Sequence, residues 1–191
     1  MVLKLPRGPG REFIVIYGIV AIYVATLPSG NSLVGLSRDL LHSVLAIRRS
    51  FHGGHISCAY WVKDKTEARL IVRQVNADLA FLQADAKTSQ RRIENVAAHM
   101  GIALTDNETV LMRARSAVGY VEQQIAQAQA AGELSWFNQA YRAWRLEAKQ
   151  HGRSMSYAQA RARLRRNLFR DILYHPVTNE LFPPLQTLNL G

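Results

Sequence analysis

The spacing of apolar residues changes character once along the chain, close to residue 62. Before that point the apolar runs are short, rich in β-branched residues and interrupted by glycine and proline, a pattern typical of strands joined by tight turns. From residue 66 onward apolar side chains recur every three or four residues, as they do on the buried face of a helix. The pattern predicts an α+β fold, with a small α/β domain followed by an all-α helical region.

The most apolar segment is the fifteen-residue run FIVIYGIVAIYVATL at residues 13–27, which follows several basic side chains and so imitates a signal or anchor. A helix that spans a bilayer needs about 20 residues. This run is rich in β-branched residues and ends at the turn sequence PSGN, residues 28–31. We therefore predict a strand here that enters a hairpin, no membrane association and a cytoplasmic location.

The elements that follow predict a compact β-β-α-β-α unit. A strand at residues 22–26 and a second ending at Gly35 flank the turn, and Ser37 or Asp39 is placed to cap a helix from Leu40. A strand around residues 59–62 and a helix from Thr66 to Ala86 complete the unit. In the remaining chain we predict a helical segment over residues 88–100, which either continues that helix or forms a separate one, and a long helix whose apolar face runs from Val110 to Ala128. Two more helices are predicted at 136–151 and 156–173, the last capped by Ser156, and the predicted domains are 1–87, 88–175 and an irregular tail at 176–191.

Composition adds a strong charge to this picture. The chain of 191 residues has 24 Lys and Arg against 14 Asp and Glu, a formal net charge of +10. Residues 136–170 concentrate it, with nine basic side chains and one acidic one, Glu147. Such an imbalance favours a polyanionic partner. The single cysteine, Cys58, excludes an intrachain disulfide and fits a reducing compartment.

Short motifs in the first domain resemble the GIY-YIG endonuclease family. AIY at residues 21–23 stands where the family has its first tripeptide, and LVG at residues 33–35 stands ten residues on, where it has the second. Residues 35–40, GLSRDL, match the family's Gly-x-Ser/Thr-x-Asp/Asn-Leu continuation, and residues 66–68 resemble the start of its second helix. Where the family is active, the resemblance implies hydrolysis of a DNA phosphodiester by a tyrosine-activated water, a phosphate-binding arginine and a glutamate that holds one Mg²⁺ or Mn²⁺.

Only one of the four expected roles is filled at its position. Tyr23 matches the first tyrosine, but the second tyrosine position holds Leu33, the helix arginine position holds Ser43, and the metal-binding glutamate position holds Val72. If the domain is active, Tyr23 and Glu67 are the catalytic candidates, with Glu67 as the metal ligand. Otherwise no cofactor is expected, and Tyr23 is a half-buried strand residue.

A possible zinc site at His52, His55 and Cys58 offers only three ligands. The glycine pair between the two histidines is better explained as a loop that joins the first helix to the third strand.

The aromatic residues of segment 136–170 recur at helical spacing and predict the core of a small helical subdomain. The arginines of the same segment lack local acidic partners, so we predict that they bind a phosphate backbone. The predicted nucleic-acid-binding residues are Arg38, Arg48, Arg49, Arg142, Arg145, Arg161, Arg163, Arg165, Arg166 and Arg170.

Three functions remain open on the sequence alone. The first is a DNA-binding protein with a catalytically impaired GIY-YIG-like domain. The second is an active metal-dependent endonuclease. The third is a protein-interaction module, in which the face from Val110 to Ala128 packs against a partner or a second copy of the chain.

Overall fold

The computed structural model describes residues 3–132 and 135–174, with the backbone alone described at Ser135, Trp136 and residues 172–174. The chain divides into two compact units on either side of the bond between Ala114 and Arg115. The elements, in chain order, are α1 Gly8–Tyr17, β1 Val20–Thr26, β2 Ser32–Ser37, α2 Leu40–Ser50, β3 His55–Val62, α3 Lys65–Leu79, α4 Ala86–His99, β4 Thr105–Asp106, α5 Asn107–Ala130, α6 Ser135–Gln150 and α7 Tyr157–Tyr174.

The first unit is built on a four-stranded antiparallel sheet with the strand order β2-β1-β3-β4. The predicted α+β class and the predicted order β-β-α-β-α, here β1-β2-α2-β3-α3, are confirmed. The turn over residues 28–31 joins β1 to β2 as predicted. β3 is longer than the predicted 59–62, because it begins directly after the Gly53-Gly54 loop.

β1 is the central strand, and its alternating side chains are covered on both faces. Val20, Ile22 and Val24 project from one face into the main core, which α3 and α4 complete with a set of buried aliphatic side chains. Those side chains are Ala68, Ile71, Val75, Ile93, Val96 and Ala97.

The opposite face of the sheet carries Tyr23 of β1 and Trp61 of β3. α2 packs against β3 and buries Leu40, Val44 and Ile47. Trp61 is fully buried, and its indole N–H donates to the side chain of Asn107 at 3.1 Å. A buried indole needs such an acceptor, so this hydrogen bond ties β3 to the first residue of α5.

The strand predicted across residues 13–27 is wrong in its first part, because residues 13–17 belong to α1. Pro9 lies in the first turn, where a missing N–H costs nothing, and Phe13 and Ile14 are buried. Gly18 ends the helix with φ 78°, and its N–H donates to the Ile14 carbonyl at 3.2 Å. The strand prediction is confirmed only for Val20–Thr26. Among the described residues no helix combines the length and the hydropathy that crossing a bilayer requires.

Two predicted boundaries also move. The helix predicted from Thr66 to Ala86 ends at Leu79, and α4 is a separate helix capped by Asp85, whose carboxylate accepts the Thr88 N–H at 2.7 Å. α4 supplies part of the core of the sheet, so the first unit extends to Ala114 rather than to the predicted residue 87.

The second unit contains the rest of α5 together with α6 and α7. Phe137 is buried and makes edge contacts with Trp144 and Tyr157, with ring centroids at 6.2 and 5.6 Å. The predicted aromatic core is therefore confirmed for the described side chains. Ser156 caps α7 as predicted, because its hydroxyl accepts the Gln159 N–H while the Gln159 side chain accepts the Ser156 N–H.

The predicted docking face on α5 is covered within the chain itself. Val110, Ala117, Val121 and Ile125 are each at most 3% exposed. These four side chains are therefore not available to a partner, whereas Val118 and Ala128 of the same face are partly exposed. The predicted irregular tail at 176–191 lies outside the described residues.

Asp39 supports the first prediction, because it caps α2 and binds Arg11 of α1. Its carboxylate accepts the His42 N–H and the Arg11 side chain, and the Arg11 guanidinium holds the pKa of Asp39 below its usual value. We expect Asp39→Ala to lower the free energy of unfolding by about 1–2 kcal/mol, since cap and ion pair are both lost. Asp39→Asn keeps a capping oxygen and should cost about 0–1 kcal/mol in urea unfolding at pH 7.

Acid should remove the advantage of the wild-type chain over the Asp39→Asn variant. A carboxyl with a depressed folded pKa stabilises above its unfolded value of about 3.9 and loses that contribution as the pH falls through the folded pKa. The two stabilities should converge below about pH 4. A difference that stays constant down to pH 2 would contradict the ion pair.

Candidate nucleic-acid interface

Tyr23 has a packing role in the structure. It is paired across the β1–β2 ladder with Gly35, and a Cβ placed on Gly35 would lie 2.5 Å from the Tyr23 hydroxyl and 2.6 Å from its ring carbon Cζ. The ring therefore covers the glycine of the edge strand, an arrangement that compensates for the missing side chain. No described carboxylate or arginine forms a hydrogen bond with the Tyr23 hydroxyl.

Glu67 lies on the other side of the sheet from Tyr23. It is in the first turn of α3, which packs on the face of Ile22 and Val24, whereas the alternation of β1 directs Tyr23 to the opposite face. The structure does not bring Tyr23 and Glu67 together. Among the described residues no three His, Cys, Asp or Glu side chains gather as metal ligands, around Glu67 or elsewhere.

The three positions that depart from the family pattern are also divided between the faces. Leu33 shares the face of Tyr23 by strand alternation, and Ser43 donates to the Ser37 hydroxyl at 2.8 Å on that same side. Val72 packs against the main core on the α3 side. Restoring a glutamate at Val72 would therefore place it across the sheet from Tyr23.

A tyrosine–carboxylate pair that the sequence analysis missed lies elsewhere. The hydroxyl of Tyr60 in β3 donates to Glu94 of α4 and accepts the Gln90 side chain at 2.9 Å. Burial, and then the bond to Glu94, raises the pKa of Tyr60 far above its usual value, so the phenolate is not available as a base near neutral pH. The partners are 34 residues apart, and no local spacing signals them.

The residues weighed as zinc ligands do not form a metal site with other described residues. Cys58 is a free, half-buried cysteine of β3, and burial raises the pKa of its thiol to about 11. A thiol that stays protonated is a poor ligand and a poor nucleophile.

The three candidate arginines of the first unit are all exposed, but they lie at opposite ends of α2. Arg38 precedes the helix, while Arg48 and Arg49 are in its last turn, about 15 Å further along the axis. Cations in a last turn also stabilise the helix dipole, which explains the pair without a ligand.

Three of the candidate arginines in α7 have partners inside the second unit. Arg165 binds Glu122 of α5 at 2.9 Å and Arg161 reaches the same carboxylate at 3.5 Å. The Arg163 guanidinium lies 4.6 Å from the centre of the Trp144 ring and 3.4 Å from Glu147. These three arginines stabilise the packing of α7, so they are not simply a free phosphate-binding surface.

Four other candidates remain exposed and form no ion pair with a described residue. Arg166 and Arg170 are one turn apart on α7, and Arg142 and Arg145 lie on one side of α6, with Lys149 one turn further on. The structure gives two stripes of unneutralised cations, one on each helix.

A further basic stripe was missed in the first unit. Lys65, Arg69 and Arg73 follow one another at four-residue steps along α3, and none forms an ion pair with a described residue. The four-residue spacing of these three side chains is visible in the sequence.

Comparisons of the chain with protein-family models, with curated protein sequences and with solved structures gave no significant match. The site must therefore be interpreted from its own geometry.

The second prediction concerns the contact between Tyr23 and Gly35. Gly35→Ala should lower the free energy of unfolding by about 1–3 kcal/mol, because the new methyl group displaces the tyrosine ring. In a Tyr23→Ala background the same change should cost little. Urea unfolding of the two single variants and the double variant measures this coupling, and strictly additive effects would contradict the contact.

Proposed function

We propose that this chain is a cytoplasmic DNA-binding protein whose first unit resembles a GIY-YIG nuclease domain without a working cutting site. We assign the interaction to contacts between the phosphate backbone of the DNA and the exposed cations of the second unit. Backbone contacts of this kind position a protein but carry no sequence information, so the binding is independent of base sequence.

The observation that carries the proposal is the set of exposed, unneutralised arginines on α6 and α7. Residues 136–170 have nine basic side chains. Arg161, Arg163 and Arg165 among them form ion pairs, and these pairs involve two carboxylates, those of Glu122 and Glu147. Among the described residues of the unit, the excess charge is therefore not neutralised. Each cation that meets a phosphate releases condensed counterions, which is favourable at low salt.

Catalysis finds less support than binding. A phosphodiesterase needs a base, a cation and a positive side chain around one phosphate. Tyr23 and Glu67 lie across the sheet from each other, and the tyrosine that does meet a carboxylate, Tyr60, holds its proton.

Salt dependence of duplex binding is the third prediction. Fluorescence anisotropy with a labelled 20-bp duplex should give a Kd that rises steeply between low and physiological salt. In the Arg166→Gln/Arg170→Gln variant, the slope of log K against log salt should become shallower by about 1.8, since two contacts are lost at about 0.9 each. Binding that is undetectable even at 20 mM salt would eliminate the proposal.

The matched control removes two other arginines from the same helix. Arg161→Gln/Arg165→Gln changes the net charge by the same amount as Arg166→Gln/Arg170→Gln, but it removes the two arginines that form ion pairs with Glu122. This variant should unfold at a lower temperature and keep nearly the wild-type salt slope. Equal loss of slope in both variants would show that net charge alone, and not the exposed stripe, governs binding.

The fourth prediction concerns cleavage. Supercoiled plasmid incubated with the chain and either Mg²⁺ or Mn²⁺ should stay intact, because Tyr23 and Glu67 lie on opposite faces of the sheet and Tyr60, which does meet a carboxylate, holds its proton. Nicking that disappears in both Tyr23→Phe and Glu67→Ala would instead establish the endonuclease. Asp64→Asn, at the cap of α3, is a control that leaves both candidate residues in place.

A further inference from the structure

A groove of about 440 Å³ opens at the edge of the sheet, between β2 and α3. Its lining is mostly apolar, with Leu36 on the strand side and Leu70 and Val72 on the helix side. Leu70 is 50% exposed. The groove therefore offers an apolar surface that the first unit leaves in contact with water.

The strand that borders the groove is covered along only half of its outer edge. At its start, the Ser32 N–H donates outward to the Ala84 carbonyl at 2.8 Å. The Val34 carbonyl accepts the Asn76 side chain at 3.4 Å. Outward-facing groups recur at every second residue of an antiparallel edge, so the N–H and C=O of Leu36 also face outward. No described residue beyond the edge is hydrogen-bonded to them.

The helix side of the groove is positively charged. Arg69 and Arg73 are both exposed and both line the groove, and Lys65 precedes them by one turn. None of the three meets a carboxylate among the described residues, so a ligand in the groove would face two or three unneutralised cations.

We infer that this groove binds an extended peptide whose groove-facing side chains, at every second residue, are apolar and acidic. The peptide backbone adds to the outer edge at Leu36, one apolar side chain enters the groove beside Leu70, and acidic side chains two residues away, on the same face of the peptide, meet Arg69 and Arg73. A peptide backbone supplies the alternating donors and acceptors that an open edge requires, and alternate side chains supply the specificity.

A nucleic acid fits this groove less well. Binding of single strands relies on aromatic side chains on which bases stack, and none of the residues that line the groove is aromatic. The mostly carbon lining also offers little to a phosphate between the two arginines. The inference is independent of the proposed DNA binding, which is assigned to α6 and α7.

The test uses the full chain and a fluorescein-labelled ten-residue peptide with anisotropy as the readout, in which every second residue is in turn valine or glutamate and the intervening residues are serine. We expect saturable binding that Arg69→Gln/Arg73→Gln weakens by about fivefold or more, since two surface ion pairs are lost. Arg91→Gln, an exposed position of α4 outside the groove, should leave the affinity unchanged. The duplex salt slope should be the same in all these chains, which separates this result from the DNA-binding test.

Two modified probes test the strand addition itself. We compare two peptides that are N-methylated at every second amide, in the two possible registers. The peptide whose methyl groups face the strand edge should lose binding, and the other should bind like the parent peptide. A peptide with lysine in place of glutamate should not bind. Equal binding of both methylated peptides, or no binding of the parent, would overturn the inference. Capture of a labelled dT15 strand that depends on Arg69 and Arg73 would likewise overturn it, in favour of nucleic acid.

Discussion

The two-sided burial of β1 controls the arrangement of the first unit. A strand that is covered on both faces must project successive side chains into two separate cores. Ile22 and Val24 enter the core of α3 and α4, so Tyr23 between them must face the side of α2. Helix α3 cannot approach Tyr23 without exposing the aliphatic core. The same burial that stabilises the sheet therefore keeps Glu67 and Val72 away from Tyr23.

This constraint changes the interpretation of the short motifs at residues 21–23 and 33–35. Tyr23 and Gly35 lie opposite each other on neighbouring strands and form a packing pair. This packing explains both residues without a substrate. Ser37 and Ser43, in the continuation of the second motif, fix the entry to α2 through a hydrogen bond between their hydroxyls. Packing and a helix entry thus account for these residues, and the side chains that the resemblance would require for catalysis are different or displaced here.

Local signals in the sequence were sufficient where the structure depends on neighbours in the chain. The caps at Asp39 and Ser156 and the turn before β2 were predictable because each satisfies backbone groups a few residues away. Residues 13–17 were not predictable in the same way. Their β-branched composition favours a strand, and the helix depends on contacts made in the folded unit, where Phe13 and Ile14 are buried.

In the candidate site, too, some features could be predicted from the sequence and others depend on the folded structure. The excess of positive charge in residues 136–170 was evident from composition, but its distribution between structure and surface was not. Glu122 binds Arg161 and Arg165 from 39 and 43 residues away in the chain, and Trp144 covers Arg163 only because α6 and α7 pack together. A count of charges cannot distinguish Arg165 from Arg166, which are adjacent in sequence and opposite in role.

The surroundings of the two basic surfaces determine what each can bind. On α6 and α7 the exposed arginines stand on solvated helix faces, so their interaction with an anion is mainly Coulombic and is screened by salt. On α3 the arginines border an apolar groove and an open strand edge, where a ligand must also match a hydrogen-bonding pattern and fill a shaped surface. Charge alone favours any polyanion at the first surface. At the second, the combination of charge, backbone groups and apolar contact favours a polypeptide, so the two proposed surfaces should differ in selectivity.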